Sequence, residues 1–193
     1  MIQDVLHSPL LPTSADSVTI TALLNDESAA GVTATLKWRV DGEPDFRSAA
    51  MFDDGLHGDN QANDGVFGAT LAAQPDRTVI EFFVQAADAA SLTRTWPAPT
   101  AAGEQQTNAL YQVLDGIAAL EPGDPPIYHQ IMTGIERQEF TSINRLSDAQ
   151  FNATFIAVTG TGADLRYNTG VRIRGSASRQ DAVPNNRIRI PSD

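Results

Sequence analysis

Apolar and polar residues alternate in short runs through the first part of the chain. The clearest run is 32–40, where every second residue is apolar and the residues between them are Thr, Lys or Arg. A period of two is typical of a β-strand with one buried face. The same pattern recurs in two further long runs and in four shorter ones, at 18–24, 79–86, 47–52, 66–71, 91–96 and 109–114.

These runs predict about seven short strands in roughly 100 residues, joined by turns rich in Gly, Pro, Asn and Asp. We therefore expect a β-sandwich of immunoglobulin (Ig) or fibronectin type III-like form over residues 1–116. The chain has no cysteine, so the Cys-Trp-Cys pattern of antibody domains is absent. Trp38 alternates with core residues and is expected inside. Trp96, next to Pro97, is the candidate for an exposed ring that stacks on a sugar.

The stretch Leu120-Glu-Pro-Gly-Asp-Pro-Pro126 predicts a linker, which we place at 117–125, because proline cannot continue a strand ladder. Beyond it, Thr133 and Glu136 fit a capping box for a helix over about 134–146. Its expected buried stripe is Ile135, Phe140 and Ile143. The expected strands of this part are 127–132, 151–158, 165–175 and 187–190. The predicted fold class is mainly β, with an Ig-like β-sandwich followed by a small incomplete α+β domain.

The charge is distributed unevenly. The chain carries a net charge of −11, and residues 1–116 hold 16 acidic against 5 basic side chains, whereas residues 117–193 hold 8 of each. An acidic first part argues against nucleic acid as a partner. No apolar run approaches the roughly 20 residues that span a bilayer, and the N-terminus does not read as a signal peptide.

An acidic, glycine-rich segment lies at 53–65. Asp, Asn and Gly favour tight turns, so one interpretation is an ordered loop between strands. The other is a calcium site, since clustered oxygen ligands suit Ca²⁺, although the EF-hand spacing fails. The candidate ligands are Asp53, Asp54, Asp59, Asn63 and Asp64. The spacing of Asp and Gly here also resembles a loop of Ig-like modules in large bacterial secreted proteins.

Arginines alternate with apolar residues in the last two predicted strands. Arg172 and Arg174 share one strand face, and Arg187 and Arg189 share one face of the next strand. If the strands pair, the guanidinium groups line one surface and suit an anion such as phosphate, and the backbone amides of 175–178 could add an anion-binding nest. The alternative is a solvated outer face. The candidate phosphate- or nucleotide-binding residues are Arg172, Arg174, Gly175, Ser176, Ser178, Arg179 and Arg187.

Residues 126–193 resemble the N-terminal portion of the CotH (spore coat protein H) kinase family. The resemblance is carried by 126–133, 147–158, 167–179 with its Arg-x-Arg-Gly-x-x-Ser-Arg motif, and 185–193. It implies a kinase-like fold that uses ATP and Mg²⁺ when complete. Two features depart from the family: many members carry Lys where this chain has Asn185 or Asn186, and the family's catalytic carboxylates lie further downstream. The resemblance therefore places no catalytic residue in this chain.

We expect a fragment of a secreted or surface-attached bacterial protein, located outside the cell, that is not catalytically competent alone. Its expected partners are the rest of the parent polypeptide and a surface protein or polysaccharide. The alternative is a non-catalytic adhesion or carbohydrate-binding module, in which the C-terminal part is only structural.

Overall fold

The computed structural model describes residues 1–25, 31–117, 119–175, 177–181 and 185–190, without the side chain of Ser178. This part of the chain is mainly β, with three antiparallel sheets and one short α-helix. It divides into two compact units, Met1–Ile117 and Ala118–Asp193. No helix among the described residues is both long and apolar enough to cross a membrane.

In its described residues, the first unit contains eight strands in two sheets. The strands are β1 (Ile2–Ser8), β2 (Val18–Leu24), β3 (Thr33–Val40), β4 (Arg47–Met51), β5 (Val66–Leu71), β6 (Val79–Ala87), β7 (Thr93–Trp96) and β8 (Ala109–Gln112). One sheet has the order β1-β2-β5, and the other has the order β4-β3-β6-β7. Strand β6 is long enough to pair with β8 along its first half and with β7 along its second.

The period-two pattern places the core between the two sheets of this unit. On β6, the inward residues Ile80, Phe82 and Val84 are all fully buried, as the alternation predicted. On β2, Ile20 is equally buried. Removing one such side chain from water stabilises the fold by about 1.5–3 kcal/mol, so the alternating strands supply the main driving force for the sandwich.

The second unit is one antiparallel sheet with a helix beside it. Its strands are β9 (Ile127–Ile131), β10 (Phe151–Thr159), β11 (Gly162–Ile173) and β12 (Asn186–Arg189), in the order β12-β11-β10-β9. The helix α1 spans Gly134–Ser142, and a short 3₁₀ helix spans Ala177–Gln180. A cluster on one face of the sheet forms its core, and Phe140 of α1 packs against it. The cluster contains Met132, Ala153 and Val171, with Phe151 and Ile188 at its margin.

The capping box that the sequence predicted is present. The Glu136 backbone N–H donates to Thr133 Oγ1 at 3.2 Å, and Glu136 Oε2 accepts from the Thr133 backbone N–H at 3.4 Å. The helix nevertheless ends at Ser142 instead of about residue 146. Its expected buried stripe is confirmed only in part: Phe140 packs against the core cluster, whereas Ile135 is 67% exposed.

Strand β1 was not among the predicted strands. Its pairing with β2 shifts register between Gln3 and Leu6, and Asp4 has a φ of 47°. The resulting β-bulge breaks the period of two, so Val5 and His7 point inward and Leu6 is half exposed. Trp38 also differs from expectation: it is half-buried, and the Arg47 guanidinium lies 4.8 Å from the centre of its ring.

The proline-rich segment packs within the second unit. The Glu121 N–H donates to the Asp124 carboxylate at 2.8 Å, which closes a turn. Gly160, at the β10–β11 turn, lies so close that a Cβ there would be 2.0 Å from the Glu121 carbonyl oxygen. Glycine at position 160 thus allows the segment to lie directly on the β10–β11 turn.

Candidate functional site

The arginines of the last two strands are brought together by antiparallel pairing. Strand β11 pairs with β12 so that Arg172 lies directly opposite Arg187, and Gly170 lies opposite Arg189. The intervening pair, Val171 and Ile188, points to the other face and joins the core. The apolar half of the alternation therefore anchors both strands, and the basic half forms a separate surface.

This surface contains a small pocket of about 170 Å³. It is lined by Gln150, Gly170, Arg172, Arg187 and Arg189. Gly170 makes room for the amide of Gln150, because a Cβ at position 170 would lie 2.4 Å from Gln150 Oε1. The pocket thus combines three guanidinium groups with one neutral amide, which is a set of donors suited to an anion.

One carboxylate borders the pocket. Asp148 accepts from Arg172 Nη1 at 2.7 Å and from Arg179 Nη2 at 2.8 Å. The hydrogen bond from Arg179, followed by the charge of Arg172, lowers the pKa of the Asp148 carboxyl. Asp148 is therefore ionised at neutral pH and neutralises part of the charge, which leaves an excess of positive charge at the pocket.

Two of the other predicted phosphate-binding residues, Arg174 and Arg179, do not line this pocket. Arg179 donates from Nε to the Gly175 carbonyl at 2.6 Å and from Nη1 to the carbonyls of Arg145 and Ser147. Its guanidinium therefore holds backbone segments together. Arg174 follows β11 and is exposed, while its backbone N–H donates to the Asn185 carbonyl.

The predicted amide nest is only partly described. Gly175 has a φ of 111°, a conformation that favours glycine. Ser176 and the Ser178 side chain lie outside the described residues. Gln150 was not predicted from the sequence, since a lone Gln before a strand carries no signal until the sheet is assembled.

The acidic loop uses its carboxylates to close turns. Asp53 accepts from the N–H groups of Asp64 and Gly65, at 3.2 and 3.0 Å. Asp59 is buried and accepts from the N–H groups of Gly55 and His57, at 2.7 and 3.1 Å. Burial raises the pKa of the Asp59 carboxyl, but the hydrogen bonds from backbone amides together lower it by more than burial raises it. The net shift of the pKa is therefore downward.

The remaining acidic residues of the loop act in the same way. Asp54 accepts from His57 Nδ1 at 2.9 Å and from the Leu56 N–H at 2.9 Å, and the first of these bonds lowers the pKa of Asp54. Asp64 accepts from the Val66 N–H, and Asn63 has a φ of 62°. The His57 side chain, which bonds to Asp54, is 42% exposed.

This arrangement does not favour a metal. Across the described residues, no group of three or more His, Asp or Glu side chains is placed to hold a metal ion. The carboxylates of Asp53, Asp54 and Asp59 each face their own backbone donors, so they do not converge on one point. The geometry supports the ordered-loop interpretation, and calcium binding at 53–65 stays a prediction.

Comparison with known proteins gives a match in the first unit. Residues 12–78 match the family described as the conditioned medium factor 2nd Ig-like domain. The matched residues contain β2 to β5 and the acidic loop, and they end one residue before β6. No curated protein matches the chain. Residues 12–78 are thus similar to this Ig-like family, and they lie within a β-sandwich unit that extends to residue 117.

Proposed function

We propose that the second unit binds a phosphoryl group in its arginine pocket, as the N-terminal portion of a CotH-type kinase domain. The Ig-like sandwich would act as a spacer or binding module of the same secreted or surface protein. The observation that carries the proposal is the direct opposition of Arg172 and Arg187 on paired strands, with Arg189 beside them.

Like charges that face each other across an antiparallel pair destabilise the sheet. Asp148 compensates one side only, through Arg172. Arg187 and Arg189 are exposed, and within the described residues neither side chain forms an ion pair. The repulsion between these guanidinium groups would be relieved by an anion that bridges them. Phosphate suits this role, since Arg binds phosphate oxygens in a bidentate fashion.

The size of the pocket limits what it holds. Its volume of about 170 Å³ is below the roughly 300–1,000 Å³ of typical small-molecule sites. The pocket therefore suits one phosphoryl group of a larger ligand, with the remainder of that ligand outside it. This agrees with a role in holding the phosphate end of a nucleotide, as the CotH resemblance implies.

Catalysis is not part of the proposal for these residues alone. Phosphoryl transfer needs Mg²⁺ held by carboxylates, and the described residues contain no such cluster. The only lysine of the chain is Lys37, in the sandwich. ATP turnover would need acidic residues supplied by a longer parent protein, which is where the resemblance places them.

The extracellular location is supported only by the name of the matched family, which refers to a factor of conditioned medium. The proposed partners, a surface protein or polysaccharide and the remainder of a parent polypeptide, rest on the CotH resemblance. An assay of the chain on intact bacterial surfaces would test them, and absence of any surface binding would remove this part of the proposal.

The phosphate site is tested by calorimetric titration of residues 1–193 with inorganic phosphate and with ATP. Arg187→Ala should weaken binding at least about tenfold, which corresponds to about 1.4 kcal/mol. Arg166→Ala is the matched control, because Arg166 lies on β11 but pairs with Asp164 at 3.0 Å outside the pocket. Equal effects of the two substitutions, or no binding of either ligand at about 10 mM, would contradict the proposal.

A further inference from the structure

Strand β7 is an edge of the larger sheet of the first unit, since β6 pairs with one side of it and no described strand pairs with the other. A cavity of about 930 Å³ runs along this edge, and all four residues of β7, Thr93–Trp96, line it. A second cavity of about 420 Å³ continues past Leu92. Successive residues of a strand point to opposite faces, so a cavity that all four residues line is open to the edge itself.

The pairing of β7 with β6 defines which residues share a face. Arg94 and Trp96 lie on the face that carries the buried Val84. Thr95 lies on the other face, with Gln85 opposite it. A ligand held against one face would meet only half of these side chains. An extended chain beside β7 would contact both faces, because its own side chains alternate in the same way.

The main chain of β7 has unused hydrogen-bonding groups on this edge. The Asp88 N–H donates to the Leu92 carbonyl at 3.2 Å, and hydrogen-bonded pairs alternate along an antiparallel ladder. From that pair onward, Arg94 directs its main-chain groups at β6, whereas Thr93 and Thr95 direct theirs away from it. Among the described residues, the outward main-chain groups of Thr93 and Thr95 have no other partner. The edge therefore offers two N–H donors and two carbonyl acceptors.

Within the described part of the chain, Arg94 is the one charged side chain at these cavities without a hydrogen bond or ion pair, and it is exposed. The Asp88 carboxylate accepts from the Leu92 N–H at 2.9 Å, and the Met1 ammonium donates to the Asn25 carbonyl. A carboxylate opposite Arg94 would form a favourable cross-strand pair. The negative charge elsewhere on the unit is screened beyond about 10 Å at 0.1 M salt, so this close pair dominates.

A second copy of the chain does not suit this edge. Antiparallel pairing that matches Thr93 of one β7 with Thr95 of the other places the two Arg94 side chains directly opposite each other. Like charges in that position destabilise a sheet, and the net charge of −11 on each copy adds repulsion. The occupant that fits the edge is therefore a different polypeptide.

The smaller cavity indicates which residues flank the carboxylate of that polypeptide. Its lining includes the apolar side chains of Ile2, Leu24 and Leu92, and Leu92 is 70% exposed. Apolar residues on the same face as the carboxylate, two positions away from it, would cover this surface and remove it from water.

We propose that β7 accepts an extended segment of another protein as an additional antiparallel strand, with Asp or Glu opposite Arg94 and an apolar residue two positions to either side. The two residues beside the carboxylate exchange main-chain hydrogen bonds with Thr93 and Thr95. Trp96, the ring expected to stack on a sugar, already forms another interaction and has no part in this binding. The inference is independent of the phosphate site, because every residue that carries it lies in the first unit.

Titration of the full chain, followed by backbone amide signals in nuclear magnetic resonance, tests this. The probe is an acetylated and amidated heptapeptide in which Thr and Val alternate and Glu is the central residue. It is added to about 5 mM, above an expected Kd of about 1 mM. The signals of Thr93 and Thr95 should shift saturably, and a central Lys should weaken binding about threefold.

Two N-methylated peptides test the main-chain pairing. Methylation of the two Thr nitrogens beside the central Glu removes the N–H groups that face Thr93 and Thr95, so binding should be lost. Methylation of the Glu nitrogen is the control, since that N–H points away from β7 and binding should persist.

Charge reversal tests the side-chain pair. In Arg94→Glu, the peptide with central Lys should bind more tightly than the peptide with central Glu. Arg77→Glu makes the same change in net charge, but Arg77 is 85% exposed beside Asp76 and outside both cavities, so it should keep the native preference. The proposal is overturned if no peptide gives a saturable shift, if Arg94→Glu still prefers Glu, or if the two methylated peptides bind equally.

Discussion

His7 provides a pH-dependent contribution to the stability of the sandwich. It is 1% exposed on β1 and stacks on Tyr111, with 5.3 Å between ring centres. Burial lowers the pKa of His7 to about 4, although the hydrogen bond between Nε2 and the Leu10 carbonyl opposes this shift. Burial also raises the pKa of Tyr111, so the ring beside His7 stays neutral. The folded sandwich therefore favours the uncharged imidazole.

The magnitude follows from linkage between protonation and folding. The unfolded chain binds a proton at His7 near pH 6.5, but the folded chain binds it only near pH 4. The unfolded state thus holds more protons between these values, so stability is complete above pH 6.5 and falls as the pH decreases. At about 1.4 kcal/mol per pH unit, the sandwich should lose roughly 2 kcal/mol between pH 7.5 and 5.

Urea unfolding monitored by tryptophan fluorescence measures this loss. Both tryptophans, Trp38 and Trp96, lie in the first unit, so the signal reports the sandwich and excludes the second unit. The pH series should stop at pH 5, because the lowered carboxyl pKa values of Asp54 and Asp59 affect stability only below that pH.

The decisive comparison is with His7→Gln. This variant keeps a side-chain N–H donor but loses the ring that stacks on Tyr111, so it should be less stable at pH 7.5. Because glutamine does not titrate in this range, the variant should also lose the pH dependence. His129→Gln is the control, since His129 lies on β9 in the second unit, which contains no tryptophan, and its removal should not change the slope that the tryptophan signal reports. If the native chain and His7→Gln show the same slope between pH 7.5 and 5, the reasoning about His7 is refuted.

Two further substitutions test local packing. Gly68→Ala would place a Cβ 2.3 Å from the His57 carbonyl oxygen, and such overpacking against backbone should cost about 1–3 kcal/mol in the same urea assay; a change below about 0.5 kcal/mol would show that the acidic loop moves freely. Thr133→Ala removes the acceptor for the Glu136 N–H. Hydrogen exchange in α1 should become faster, which corresponds to a free energy of opening that is lower by about 1 kcal/mol. Thr133→Ser keeps the acceptor, so it should exchange like the native chain.

The sequence predicted the regular strands well because their signal is local. Each long alternating run corresponds to an observed strand within one or two residues, as for Val18–Leu24. Strand β1 was not predicted, because the bulge between Gln3 and Leu6 interrupts the alternation and because one of its inward residues is a histidine instead of an apolar residue. Helix α1 was predicted too long, because its Thr133 cap is a local signal, whereas its end, where Ile143 adopts an extended backbone, is not marked by a Gly or Pro in the sequence.

For the arginine site, the sequence alone determined the parity of the side chains. Alternation assigned Arg172 and Arg187 to polar strand faces before any pairing was known, and the strand register then placed them opposite each other. The role of Arg179 depends on the tertiary structure, because its guanidinium donates hydrogen bonds to carbonyls 32 and 34 residues away along the chain. Gln150 likewise joins the pocket only through the assembled sheet. Side-chain direction is set by neighbouring dihedral angles, whereas the partners of a side chain depend on contacts between residues far apart in sequence.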